Sequence, residues 1–136
     1  MNNEHLKWSK VAYDYVVLNY YNRIEKIKKE TIKILMQLFG SHKVAIQGAG
    51  KHTEELLKLI DVHRNIVCII DNGRNGNMYD IPICKESNIH QYKYDLILIS
   101  SYVYREEFIK VCRKYCDYDQ IIDIYQILEQ RGYFIH

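Results

Sequence analysis

Val44-Ala45-Ile46-Gln47-Gly48-Ala49-Gly50-Lys51-His52-Thr53-Glu54-Glu55-Leu56-Leu57 is the stretch that decides how this chain folds. Lys43 to Gln47 reads as a short strand. From Lys51 to Ile60, the residues Leu56, Leu57, Leu59 and Ile60 give a helix its inward face. Only Gly48-Ala49-Gly50 lies between the two, so the chain must turn sharply. Gly48 permits the tight turn, and Gly50 presents no Cβ to keep an anion from the backbone. The N–H groups that open a helix have no partner inside it and sit at the positive end of its dipole. A strand, a glycine turn and a helix start in this order suit a phosphate.

A nucleotide asks for one part more. An acidic residue about twenty positions on, at the end of the next strand, accepts hydrogen bonds from a ribose diol. Asn65 to Ile70 is an apolar run of strand length, and Asp71 closes it at a suitable distance. Lys51, His52 and Thr53 complete the phosphate-binding turn with Gly48, Ala49 and Gly50. Thr53 stands where a third glycine usually lets helix and strand pack closely, so the helix is expected slightly farther out. Arg74 follows in the loop and could face a ribose 2′-phosphate, a group that Asp71 would repel.

The alternation continues to the end of the chain. Asp71 to Asp80 is polar and turn-forming, and Ile81 to Cys84 is a short strand whose Pro82 suits an edge or a strand start. Lys85 to Gln91 reads as a brief helix, Tyr94 to Ser100 as the strongest strand, and Tyr104 to Tyr115 as a helix. Gln120 to Ile124 forms a last strand, and Tyr125 to Gln130 a closing helical turn. Strands separated by helices imply parallel pairing with right-handed crossovers. The expectation is an α/β, Rossmann-like sheet of five mostly parallel strands in the order 3-2-1-4-5. In such sheets the ligand crevice lies beyond the carboxyl ends of the first and fourth strands. That brings Ser100, Ser101 and Tyr102 beside Gly48, where their hydroxyls either bind phosphate or sugar or cap the turn.

Residues 1–40 form an N-terminal helical segment, set apart from a nucleotide-binding domain at 41–136. From about Glu4 to Phe39 there is no Gly or Pro, and Tyr13, Val17, Tyr20, Ile24, Ile27, Thr31, Ile34 and Leu38 recur in steps of four and three. That is the spacing of one helical face and of a coiled-coil seam. Lys33 and Gly40 suit the helix end, with Gly able to take the left-handed C′ conformation. A break near Asn19 or Asn22 would give a helical hairpin instead of one long helix. About 35 straight residues would span about 50 Å. The segment therefore either folds back over the sheet or pairs with another chain as a homodimer.

Bulk properties exclude several classes. A net charge of +2 over 136 residues argues against nucleic acid or an anionic membrane as the main partner. No run approaches the roughly 18 uncharged residues of a membrane span, and no apolar signal region follows Met1. Cys68, Cys84, Cys112 and Cys116 match no zinc or thioredoxin spacing, and no metal site is expected from the histidines. A cytoplasmic protein is the expectation.

The stretch Val44 to Leu57, with Ile69-Ile70-Asp71-Asn72 and Ile81-Pro82-Ile83, resembles the small Rossmann-like domains of surface-polysaccharide biosynthesis proteins. Such domains precede the catalytic part of some nucleotide-sugar dehydratases and epimerases, and of sugar acyltransferases of the sialic-acid O-acetyltransferase type. The resemblance covers about Lys43 to Leu128. It implies that Gly48, Gly50 and Asp71 hold a nucleotide or nucleotide-sugar. In the acyltransferase group the turn often reads Gly-Gly-His-Gly, whereas here it reads Gly50-Lys51-His52-Thr53. Candidate cofactors are NAD(P) or a nucleotide-sugar.

No catalytic set accompanies the turn. Dehydrogenase and epimerase chemistry of the short-chain type needs a Tyr with Lys four residues later, and none of the thirteen tyrosines has one. No hexapeptide repeat for acyl transfer is present. A methyltransferase using S-adenosylmethionine would need a longer sheet than the chain after Ile124 provides. The reading is a non-catalytic binding module for a nucleotide-type small molecule. Its rival is a self-associating interaction protein in which the nucleotide site is vestigial.

Overall fold

Strand and helix alternate along the chain once the first helix has ended. The computed structural model describes residues 3–133, with side chains from residue 22 onward. Helix α1 (Asn3–Ser41) leads into β1 (Val44–Gln47), α2 (Lys51–Lys58) and β2 (Ile66–Ile70). A hairpin of β3 (Asn77–Met78) and β4 (Ile81–Cys84) follows, then a 3-10 turn at Glu86–Gln91 and β5 (Leu96–Ile99). Helix α3 (Arg105–Cys112), β6 (Ile121–Asp123) and α4 (Ile124–Gln130) complete the fold.

The sheet is mixed but mostly parallel, with six strands in the order β3-β4-β2-β1-β5-β6. This corrects the expected five strands in the order 3-2-1-4-5. The difference is confined to one edge, where Asn77 and Met78 pair antiparallel with Pro82 and Ile81. Tyr79 and Asp80 both take positive φ, at 51° and 63°, and so close a two-residue hairpin. The extra strand pairs with the outer side of β4, so β4, whose second residue is Pro82, is not the edge of the sheet.

Alternate residues of the parallel strands face opposite layers, as the pleat demands. Val44, Ile46, Ile69 and Leu98 pack with Ile34, Leu35 and Phe39 of α1, Leu57 of α2, and Ile124 and Leu128 of α4. On the other face Ala45, Cys68, Ile70, Ile97 and Ile99 pack with Cys84, Ile89 and Cys112, flanked by Phe108 and Tyr115. Both faces of the sheet are therefore covered, which is why its strands are apolar runs.

Helix α1 is one unbroken element rather than a hairpin. It also runs through Gly40, which takes no positive φ, so the expected left-handed stop there does not occur. The C-terminal half of α1 packs into the core, where Leu35 is fully buried. The stripe positions Tyr13, Val17 and Tyr20 lie outside the described side chains. No helix among the described residues is long and apolar enough to cross a membrane.

The buried thiols give the fold a defined response to alkali. Burial pushes Cys112 from an ordinary 9.0 up to about 12, and raises Cys68 as well. The folded state thus holds protons that the unfolded chain releases above about pH 9. Stability is full below that pH and is expected to fall as pH rises toward 12. Each such thiol contributes a slope of about 1.4 kcal/mol per pH unit. Urea denaturation at pH 8, 9 and 10 measures this, and Cys112→Ala should flatten the slope.

Candidate functional site

The carboxyl ends of β1 and β5 diverge to opposite helices, α2 on one face and α3 on the other. The gap between them is a cavity of about 310 Å³, lined by Gly48, Gly50, Lys51, His52, Thr53, Asp71, Ser100, Ser101, Tyr104 and Phe108. All the expected site residues except Ala49 line it, and Ala49 is buried directly beneath.

The two glycines do different work. Gly48 has φ +93°, and a Cβ there would lie 3.3 Å from Cε2 of Phe108. Its N–H donates to the Ile70 carbonyl at 2.7 Å, which pins the turn to β2. Gly48 is thus required by backbone conformation and by packing. Gly50 is not: its φ of −89° and ψ of −170° suit any residue, and a Cβ there would meet nothing within 4 Å. Gly50 is the N-cap of α2, and no side chain caps that helix. The first intrahelical bond joins Glu54 N–H to the Gly50 carbonyl. The amides of Lys51, His52 and Thr53 precede it in the first turn, where a helix supplies no carbonyl partners.

Asp71 braces this turn. Its Oδ2 accepts from Ala49 N–H at 2.9 Å, and its Oδ1 accepts from Gly73 N–H at 2.8 Å. A carboxylate offers about four acceptor positions, so both oxygens keep capacity for a hydroxyl. From the same loop Arg74 donates to the Ala49 carbonyl. The Ala49 residue is therefore held at its N–H by an anion and at its carbonyl by a cation. Arg74, an option for a ribose 2′-phosphate that Asp71 would repel, bonds to the glycine turn itself. Lys51 and His52 are exposed beside it.

Thr53 and the two serines face inward. Thr53 is 1% exposed; its hydroxyl donates to the Gly48 carbonyl and lies 2.6 Å from Ser100 Oγ. Ser100 Oγ also lies 3.4 Å from the Gln47 carbonyl. The side chain that replaces the third glycine thus ties α2 to both central strands, which the sequence reading did not foresee. Ser101 Oγ accepts from Tyr104 N–H at 3.2 Å and so shapes the start of α3. These hydroxyls bound the cleft, but their hydrogen bonds are made within the protein. Thr53→Val keeps the shape and removes the hydroxyl, leaving Gly48 C=O without its donor. A loss of about 1–3 kcal/mol is expected, read as a lower Tm, with Thr53→Ser nearer to the parent.

Tyr102 turns away from the cleft. Its ring meets Tyr125 edge-on at 5.2 Å, with the Arg105 guanidinium 4.7 Å from its centroid. Tyr104 and Phe108 form the far wall instead, with ring centroids 6.2 Å apart. Sequence reasoning missed both. The signal was available: they stand four apart at the start of the helix that follows β5, on one helical face. Among the described residues no three His, Cys, Asp or Glu side chains come together as a metal site.

In comparison with protein families, the family described as C2185-like, N-terminal matches residues 40–122, a range that runs from the end of α1 into β6 and takes in all residues of the cleft. Comparison with curated proteins finds no match.

Proposed function

The chain belongs to the C2185-like, N-terminal family, and we propose that its cleft binds a nucleotide, dinucleotide or nucleotide-sugar through phosphate. In this reading the domain is Rossmann-like and acts as a non-catalytic module, with NAD(P) or a nucleotide-sugar as the ligand class. The observation that carries the proposal is Gly50. Its conformation and surroundings accept any side chain, so the fold alone gives no reason for glycine. As a cap, Ser or Asp would serve the helix at least as well by accepting from the first turn. What glycine adds is an open approach to three amides at the positive end of α2, with Lys51, His52 and Arg74 near at hand.

Asp71 is the residue to take a ribose hydroxyl, through the acceptor capacity left after Ala49 and Gly73. Tyr104 and Phe108 offer a ring surface across the cleft. The hydroxyls of Thr53, Ser100 and Ser101 are held by internal bonds, which favours a binding role over a reaction. The link to surface-polysaccharide or sugar metabolism rests on the sequence resemblance of residues 43–128.

A thermal-shift panel of NAD, NADH, NADP, CoA, S-adenosylmethionine, UDP and UDP-sugars tests the proposal. At a hundred times its dissociation constant a ligand adds about 2.7 kcal/mol, worth several degrees in a domain of this size. Stabilisation by at least one nucleotide is expected. No shift with any of them at millimolar concentration would count against the binding module.

A further inference from the structure

Two Asn-Gly pairs, Asn72-Gly73 and Asn75-Gly76, follow each other in the loop after β2. Asparagine is the thermolabile member of such a pair. A glycine nitrogen, unshielded by any Cβ of its own residue, can reach the side-chain amide carbon of the asparagine before it. Asn72 is restrained at both reacting groups. Its Oδ1 accepts from Glu86 N–H at 2.9 Å, which ties the amide to the start of the 3-10 turn. The Gly73 N–H donates to Asp71 Oδ1 at 2.8 Å. That carboxylate also opposes the negative charge a reacting amide nitrogen must carry. Asn75 has neither restraint. It is exposed, and among the described residues its side chain makes no hydrogen bond. The Gly76 N–H donates to no backbone carbonyl among them. A Cβ at Gly76 would meet nothing within 4 Å, so the space around that residue is open.

We propose that Asn75 is a site of spontaneous deamidation and that its neighbour Asn72 is protected by the fold. The Gly76 nitrogen, having lost its proton to hydroxide, attacks Cγ of Asn75. The new C–N bond closes a five-membered succinimide, and the side-chain nitrogen leaves as ammonia. Water then adds to one of the two ring carbonyls and breaks its bond to nitrogen. Opening at Cγ leaves aspartate, and opening at the backbone carbonyl leaves isoaspartate. One water is consumed, one ammonia is released, and nothing is oxidised or reduced. Either product places a new carboxylate beside Arg74. Isoaspartate also lengthens the main chain by one carbon. The loop is anchored on both sides of that insertion: Arg74 donates to the Ala49 carbonyl, and the Gly76 carbonyl accepts from Ile83 N–H at 2.8 Å. The Arg74 contact is made by an exposed side chain and is the one to yield. Reaction at Asn75 therefore loosens the glycine turn through Arg74. This inference stands independently of the ligand.

Ageing the full chain at mildly alkaline pH, followed by tryptic mass mapping and isoaspartyl-specific methylation, reads both positions in one sample. Trypsin cuts after Arg74, so Asn72 and Asn75 fall in different peptides. In the folded protein Asn75 is expected to react about tenfold or more faster than Asn72, because two hydrogen bonds must open before Asn72 can react. In urea the two rates should converge, since each asparagine is followed by glycine. Asn75→Gln should stop the reaction at that position, because the longer side chain closes a less favourable ring. The aged parent should show shifted amide signals at Ala49 and Gly50, and aged Asn75→Gln should not. Equal rates at the two positions in the folded chain would overturn the proposal. So would an Asn75 that stays intact in the folded chain while the unfolded chain reacts. Unshifted Ala49 and Gly50 signals in the aged parent would overturn the link to the glycine turn.

Discussion

Gly50→Val is expected to remove nucleotide binding and leave the folded state close to that of the parent. The backbone at position 50 is extended, and the new Cβ enters open space. The structural cost is limited to a poorer N-cap, about 1 kcal/mol. The isopropyl group would stand over the amides of Lys51, His52 and Thr53, where a phosphate oxygen must come within about 3 Å. A loss of at least a hundredfold in affinity is expected, equivalent to about 2.7 kcal/mol. Calorimetric titration of parent and variant reads the affinity, and a denaturation curve without ligand reads the fold. Equal affinity in the two proteins would take the phosphate away from this turn.

Gly48→Val should do the reverse and damage the fold itself. A β-branched residue at φ +93° is strained wherever it occurs. Here its Cβ would also press on the Phe108 ring at 3.3 Å, before the γ-methyls are counted. Phe108 packs against the sheet, so the ring cannot yield without disturbing α3. The turn would shift, and the bonds from Gly48 N–H to Ile70 and from Thr53 to the Gly48 carbonyl would weaken with it. Strain and overpacking together are expected to cost about 3 kcal/mol or more, with a drop in Tm of ten degrees or so. Gly48→Ala should cost less but still more than Gly50→Val. A Gly48→Val protein as stable as the parent would mean that the turn is not held as described. The two glycines, alike in the sequence, are thus separated by one pair of melting curves.

Much of this architecture was legible in the residues, and the reasons are specific. Val44 to Gln47, Ile66 to Ile70 and Leu96 to Ile99 are apolar runs of strand length because both faces of their sheet are covered. The glycine turn was legible because its chemistry is local. What failed to show was set by contacts distant in sequence or by too few residues. Asn77–Met78 is a two-residue strand, too short for a periodic signal, and its turn is made by Tyr79-Asp80 rather than by the Asn-Gly or Asp-Gly that marks such hairpins. Gly40 looked like a left-handed helix stop, yet it stays helical, the helix ends one residue later at Ser41, and Ser41 Oγ bonds back to the Gln37 carbonyl. Thr53 looked like a loss at a glycine position. Its role depends on Ser100, forty-seven residues away, which no local pattern announces. Asp71 was placed correctly at the strand end, but its bonds to Ala49 and Gly73 show it bracing the turn as well as facing the cleft.

The most direct test of the central claim is a residue-resolved titration: two-dimensional amide NMR spectra of the ¹⁵N-labelled protein with UDP, a UDP-sugar and NAD added in turn. A saturable shift is expected with at least one of them. It should be largest at the amides of Gly50, Lys51, His52 and Thr53, followed by those around Asp71, with α4 unmoved. Saturable binding that left the first turn of α2 unshifted, or no shift anywhere at millimolar ligand, would contradict the assignment of this cleft as a phosphate site.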